Sequence, residues 1–268
     1  ANHNYFNSVL TINDAESRGG DLSKQLTPEA QRDFLKKFAV DFANAAFSGN
    51  YEKTIYDINN RTVNQLGGFD IVTSLDYAQK ADLLNILDKT KLEAQDVAIN
   101  YLQESVDINT DNAIGMNIPL RKADIMDLLN IKWQKNGAVL AMQTDIKDLS
   151  DYKNINIQLV LDPSDQLNPA KAEQGFSLKF RDAQGNSDTI VIKKGSGILP
   201  YPQGKMDGYT LENGRELKFW DNNTLLTNLQ IPISLLSSID TSQLQKVDFI
   251  FDQSASGSIM IESIKAMK

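Results

Sequence analysis

Few residues in this chain are equipped for chemistry, and their scarcity excludes much. There is one histidine, His3, and no cysteine. That removes disulfides, thiolate metal sites, iron–sulfur ligation and cysteine nucleophiles, together with any site needing two imidazoles. His3 could act as a general base, because an imidazole takes and returns a proton near neutral pH. A structural or merely exposed histidine is the plainer alternative. Acids are plentiful, at 35 Asp and Glu, but no spacing nominates two of them as a glycosidase acid and base.

Other motifs fail on spacing or context. Asp107-Ile108-Asn109-Thr110-Asp111-Asn112 opens like a calcium loop, yet the glycine and closing glutamate of an EF-hand are not in place, so a solvated loop is the better reading. Asp145, Asp148 and Asp252 are candidate oxygen ligands for a calcium ion, though nothing in the sequence brings them together. No Gly-x-Ser-x-Gly elbow exists. Gly195-Ser196-Gly197 and Ser254-Ala255-Ser256-Gly257 lack its spacing and its strand-to-helix context. There is no nucleotide-binding glycine loop. Trp133, Tyr201, Tyr209 and Trp220 could form an aromatic platform for a sugar ring; the competing assignment is core or edge of a sandwich.

The scaffold for these residues is an ordinary globular one. The 268 residues are 41% hydrophobic and 23% charged, enough for one large domain or two modest ones. Lys+Arg 27 against Asp+Glu 35 gives a net charge of −8, the wrong sign for the phosphate field of nucleic acid. No apolar run approaches the roughly 20 residues that span a bilayer, so no transmembrane segment is expected. With no initiating Met and no charged-then-apolar leader, the sequence reads as starting after processing or as a piece of something longer. An acidic, Asn-rich, cysteine-free chain suits a secreted bacterial protein.

Three zones follow along the chain. In residues 1–50, the polar and aromatic run Asn2-His3-Asn4-Tyr5-Phe6-Asn7 and the turn-prone Ser17-Arg18-Gly19-Gly20-Asp21 lead to a helix. Thr27 is its N-cap, Pro28 its first residue and Glu29 an acid at the positive end of its dipole. Phe34, Leu35, Phe38, Phe42 and Ala45 make one apolar stripe that must pack on something, and Gly49 suits the exit. Residues 51–122 form a mixed connecting region, with a turn or backbone crossing at Gly67-Gly68 and a short helix or buried strand at Asp82–Leu87.

From 123 to 268 the period is that of strands. Ile155, Ile157, Leu159 and Leu161 alternate with polar neighbours, as do Phe176, Leu178 and Phe180, then Val247, Phe249 and Phe251, then Ile259 and Ile261. Asp182-Ala183-Gln184-Gly185-Asn186 predicts a hairpin, and Ser254–Ser258 is expected to join the last two strands in the same manner. The run Leu225–Ile233 reads as a buried strand ended by Pro232. The pattern predicts a mainly β chain, an antiparallel two-sheet sandwich of jelly-roll type.

The run Asn2-His3-Asn4-Tyr5-Phe6-Asn7, followed by a capped helix from Thr27, resembles the end of the catalytic domain in secreted bacterial α/β-hydrolases of the serine esterase and lipase kind. In that family a stretch of the form Asn-His-Asn-aromatic-Phe-Asn carries the histidine of the Ser-Asp-His triad. Ile131-Lys132-Trp133, Asp145–Tyr152, Ile155–Leu159, Phe176–Gly185 and Phe249 to Ile259 resemble the β-sandwich appended to some of these enzymes.

The resemblance implies a helical C-terminal remnant of an α/β-hydrolase domain ahead of the sandwich. His3 would be the catalytic base, with Asn4, Tyr5 and Phe6 beside the substrate. Because the triad runs Ser, then Asp or Glu, then His, the nucleophile and acid would lie on an upstream segment or companion chain. The chain alone would then be inert. Ester or related acyl bonds would be the substrate, with no cofactor required and calcium possible in the sandwich. The alternative is a non-catalytic extracellular binding or structural β-sandwich with a glycan as partner; a subunit of an extracellular assembly is a third possibility.

Overall fold

A computed structural model describes residues 4–10, 12–13, 25–48, 65–66, 68–70, 79–103, 127–202, 204–220 and 226–268. His3, the stretches 14–24 and 104–126, and Gly49 fall outside the described residues.

Asn4–Phe6 form one 3-10 turn, and helix α1 runs Pro28–Ser48. Its start is the expected one: the backbone N–H of Ala30 donates to Thr27 Oγ1 at 3.2 Å, satisfying one of the amides that a helix start leaves open. The stripe exists as well. Phe34, Phe38 and Phe42 stack in succession, with centroids 6.2 and 6.3 Å apart. Phe34 also meets Phe69 edge-on at 5.6 Å. Phe69 belongs to β2 (Phe69–Asp70), which pairs with β1 (Gln65–Leu66).

The strands that follow are β3 (Lys80–Leu84), β4 (Leu92–Gln95), β5 (Val97–Gln103), β6 (Asp127–Trp133), β7 (Ala138–Gln143) and β8 (Asn154–Leu161). Next come β9 (Phe176–Asp182), β10 (Ser187–Ile192), β11 (Met206–Thr210), β12 (Glu216–Trp220), β13 (Thr227–Pro232), β14 (Leu244–Phe251) and β15 (Gly257–Met267). Two antiparallel sheets hold most of them. One has the order β10-β9-β14-β7-β4 and the other β13-β8-β15-β6-β5, with β3 alongside the far half of β15. β11 and β12 make a separate hairpin.

The sheets face each other across a core supplied by every second residue. Leu140, Phe176, Leu178, Phe180, Val247, Phe249 and Phe251 come from one sheet; Leu129, Ile131, Trp133, Ile155, Ile157, Leu159, Ile259 and Ile261 come from the other. This is the antiparallel sandwich that alternation predicts.

Two expectations need correction. The sandwich does not begin near residue 123: β3, β4 and β5, all within the zone read as connecting, pair with β15, β7 and β6. Asp82–Leu87 is accordingly strand through Leu84 and then turn, with Leu83, Leu84 and Ile86 buried. Nor do the last two strands form a hairpin. β14 and β15 lie in different sheets, so Ser254–Ser258 is a crossover between layers. It is seated on Trp133, whose Nε1 donates to the Ser254 carbonyl at 3.2 Å. The hairpin at 182–186 forms as expected, with Gly185 at φ +87° and the Asp182 carboxylate accepting from the Gln184 and Asn186 amides.

Candidate functional site

The outward positions of the two sheets differ in kind. On the five-stranded sheet they carry charge: Glu93, Lys179, Arg181, Lys246 and Asp248. Arg181 Nε donates to Asp248 Oδ2 at 2.7 Å, and Lys246 Nζ to Glu93 Oε1 at 2.8 Å. Most of this face is solvated, but Asp248 is buried, with one of its oxygens accepting no bond.

On the six-stranded sheet many outward positions are carboxamides. Asn154, Asn156 and Gln158 alternate along β8 with the core residues Ile155, Ile157 and Leu159; Asn228 and Gln230 do so along β13, and Asn130 on β6. Register aligns them in rows across the strands. Asn228, Gln158 and Ser263 form one row, and Gln230, Asn156 and Lys265 the next. Pro232, Asn154, Met267 and Lys80 form the last. With strands about 4.8 Å apart and same-face residues about 6.7 Å apart along each strand, the amides form a regular grid of paired donors and acceptors.

The carboxamides are dry, none being more than 9% exposed. Some of its hydrogen bonds are internal: Ser263 Oγ donates to Gln158 Oε1 at 3.1 Å, and Asn130 Nδ2 to Ser258 Oγ at 3.0 Å. The side-chain oxygens of Asn154 and Asn156 accept none. Two ion pairs share this face. Lys132 pairs with Asp165 at 2.6 Å, and Lys265 lies 3.9 Å from Glu262 at the bulge in β15.

At the strand ends beside the last row lies an open cavity of about 410 Å³, lined by Gln79, Lys80, Tyr152 and Lys268. Lys268 Nζ sits 5.5 Å from the centre of the Tyr152 ring and 4.0 Å from Asp151 Oδ2. Backbone bonds fix its walls, from Lys268 N–H to the Gln79 carbonyl and from Lys153 N–H to that of Met267.

The residues singled out from sequence are dispersed. His3 is outside the described residues. Of its neighbours, Asn4 Nδ2 donates to the Ile12 carbonyl at 3.1 Å, Arg32 of α1 donates to the Tyr5 carbonyl at 3.4 Å, and Phe6 is 39% exposed.

The calcium candidates do not converge. Asp145 lies just beyond the end of β7 and Asp252 just beyond the end of β14, and since these strands are antiparallel the two are at opposite ends of the pair. Asp145 accepts from Lys91 and from the Asn85 amide, Asp148 from the Ser150 amide and hydroxyl, and Asp252 from Ser177 at 2.8 Å. Lys91 holds the Asp145 carboxyl below its ordinary value, and Ser150 does the same for Asp148. Among the described residues, no three His, Cys, Asp or Glu side chains gather in a way that could hold a metal.

The aromatic platform does not assemble either. Trp133 is a core residue, stacked on Phe251. Tyr201 is half-buried and donates to the Pro163 carbonyl at 3.3 Å. Tyr209 is exposed on β11, and the side chain of Trp220 is outside the described residues.

A second polar cluster fastens the crossover turn. Asn168 Nδ2 donates to the carbonyls of Asp162 and Ser258, Gln174 Nε2 donates to Asn168 Oδ1, and Ser254 Oγ donates to Gln174 Oε1. Its groups serve one another. Beside it, burial pushes the Asp162 carboxyl above its ordinary value, against the Ser164 bonds that lower it.

Sequence reasoning took the amide positions only as the polar half of an alternation. The available signal was that this half consists of Asn and Gln in β8 and β13, whereas the β9 and β14 positions are Lys, Arg and Asp.

No described helix is long and apolar enough to cross a membrane. No known family matches the sequence, and no curated protein does. Among solved structures, the chain is similar to a family 11 carbohydrate-binding module from Clostridium thermocellum in complex with a β-1,3-1,4-mixed-linked tetrasaccharide; identity is 8%, coverage is 72% of this chain and 97% of that one, and the TM-score is 0.40. An exo-β-agarase matches at 10% identity over 71% of this chain and 25% of its own, with a TM-score of 0.41. A family 30 carbohydrate-binding module of a cellulosomal cellulase of Clostridium thermocellum matches at 10% identity over 70% and 97%, with a TM-score of 0.36. Likenesses this distant say nothing about the ligand of this chain.

Proposed function

We propose that the chain acts as a non-catalytic, glycan-binding β-sandwich, and that its glycan reaches the buried amide grid of the six-stranded sheet from the open end, where the row Pro232-Asn154-Met267-Lys80 meets the cavity lined by Gln79, Lys80, Tyr152 and Lys268. The observation that carries this reading is the contrast between the two outward faces. One is charged and mostly solvated apart from buried Asp248; the other carries rows of buried carboxamides, among them Asn154 and Asn156, whose acceptors lack donors. A sugar presents neighbouring hydroxyls that both donate and accept, and Asn and Gln match them without charge. In a dry site such bonds discriminate strongly, since an unmatched buried polar group is costly. A polymeric glycan as partner places the protein outside the cell, and a binding role requires no cofactor.

Affinity electrophoresis of the whole chain through gels containing mixed-linked β-glucan, agarose, starch or pectin tests the proposal. Retardation on at least one glycan is expected, with loss in the double variant Asn156→Ala/Gln230→Ala at unchanged circular dichroism. Free migration on every glycan, or retardation that survives the double substitution, refutes it.

A second reading keeps residues 1–50 as the end of a hydrolase domain, and one feature favours it. The turn next to His3 packs on α1 through Arg32 and Tyr5, while Leu35 and Phe42 of that helix's apolar stripe are 43% and 49% exposed. An apolar stripe left open suits a helix whose partner sheet lies elsewhere. On this reading His3→Ala in a protein that also carries the nucleophile abolishes hydrolysis of a short-chain ester; undiminished turnover excludes it.

A further inference from the structure

The grid is closed to water, but its last row, Pro232-Asn154-Met267-Lys80, ends at the open cavity lined by Gln79, Lys80, Tyr152 and Lys268. At about 410 Å³ the cavity falls within the range of small-ligand sites. Its chemistry differs from that of the grid. Two ammonium groups, an amide and a phenol ring replace the uncharged rows. Although the chain carries −8 overall, Lys80 and Lys268 line this cavity and Lys153 follows Tyr152 in its wall, with Asp82 and Asp151 as neighbouring acids among the described residues. The Tyr152 ring holds the Lys268 ammonium by a cation–π contact at 5.5 Å, so this cation is oriented while its acid partner, Asp151, stays 4.0 Å away and well exposed.

We propose that the cavity binds an anionic sugar residue, one bearing a carboxylate or a sulfate ester, at the end of a glycan that enters the grid here. Lys268 and Lys80 meet the anionic group, and the Gln79 amide meets a ring hydroxyl. The inference rests on the glycan-binding reading and narrows it to acidic polysaccharides.

Two probe pairs test it, each offering related backbones with and without charge: polygalacturonate against fully methyl-esterified pectin for the carboxylate, and carrageenan against agarose for the sulfate. The expected result is tighter retention on the charged member of at least one pair by roughly two- to fivefold, the range of one or two exposed ion pairs. Raising salt from 50 to 200 mM should erode this preference. Lys268→Ala, at an exposed position, should abolish it while leaving retention on the neutral member unchanged, and Lys268→Arg should restore it. Equal retention of charged and neutral members overturns the proposal and leaves the grid reading standing; no retention of any probe overturns both. A preference that persists in both Lys268→Ala and Lys80→Ala overturns the assignment to this cavity.

Discussion

Trp133 and Phe251 stack at 4.2 Å with their planes 16° apart. One projects from β6 and the other from β14, so the pair ties the two sheets together at the end where the chain crosses between them. Gly257 lies against the indole, and a Cβ there would collide with the ring carbons. In a close-packed interior neither ring can yield without disturbing the other.

Gly257→Ala is therefore expected to destabilise the fold by about 1–3 kcal/mol through overpacking, and Trp133→Ala by about 3–5 kcal/mol through the cavity it leaves. Urea melts followed by tryptophan fluorescence or circular dichroism measure both. A Gly257→Ala melt superimposable on wild type would show that the crossover is not seated on the indole.

Alternation along β8, β9 and β14 was enough to predict two facing sheets, because burying one side of a strand leaves a period of two that the sequence cannot hide. Pairing partners were less legible. Ser254–Ser258 has the composition of a hairpin turn, and only the long-range contact of Trp133 with Ser254 and Gly257 distinguishes it from a crossover. β3 and β4 were obscured because they are short, and β4 and β5 because they are edge strands, where exposed Glu93, Ala98 and Asn100 alternate with residues no more than half-buried, Leu92, Val97 and Ile99. The grid was hidden differently: Asn156 and Gln230 look like any polar position until both neighbouring strands place them side by side.

Several exposed or half-exposed acids are held low by their partners, Asp145 by Lys91, Glu93 by Lys246 and Asp240 by Ser242. A carboxyl whose folded value lies below its unfolded one adds stability above the unfolded value and loses it as pH falls through the folded one. Thermal midpoints should therefore decline below about pH 4. The Asp145→Asn variant should show a shallower decline than wild type, and parallel curves would contradict the role given to Lys91.

Asp162 has the opposite sign. It is 5% exposed, and burial raises its folded value, so the folded chain binds this proton more tightly than the unfolded chain. Stability from this group is greatest at low pH, falls as pH rises between the unfolded and folded values, and stays reduced above them. Asp162→Asn keeps an acceptor for the Ser164 amide and hydroxyl, which now donate at 3.0 and 2.6 Å. The variant should melt a few degrees above wild type at pH 7, and the gap should close near pH 3. A gap of constant size would mean that charge burial is not its cause.

The side-chain oxygens of Asn154 and Asn156 are buried without donors, a condition that costs about 1–3 kcal/mol for each group. A position kept for packing alone would favour an apolar residue there, as neighbouring Val160 and Met260 on the same face illustrate. Asn156→Leu is thus expected to raise the unfolding free energy by about 1 kcal/mol while eliminating glycan retention. The two readouts must move in opposite directions, because relief of an orphaned acceptor helps the fold and removes a contact for the ligand. If Asn156→Leu destabilises the chain and leaves retention intact, the amide serves the packing of the sheet, and the grid loses its claim to be a binding face.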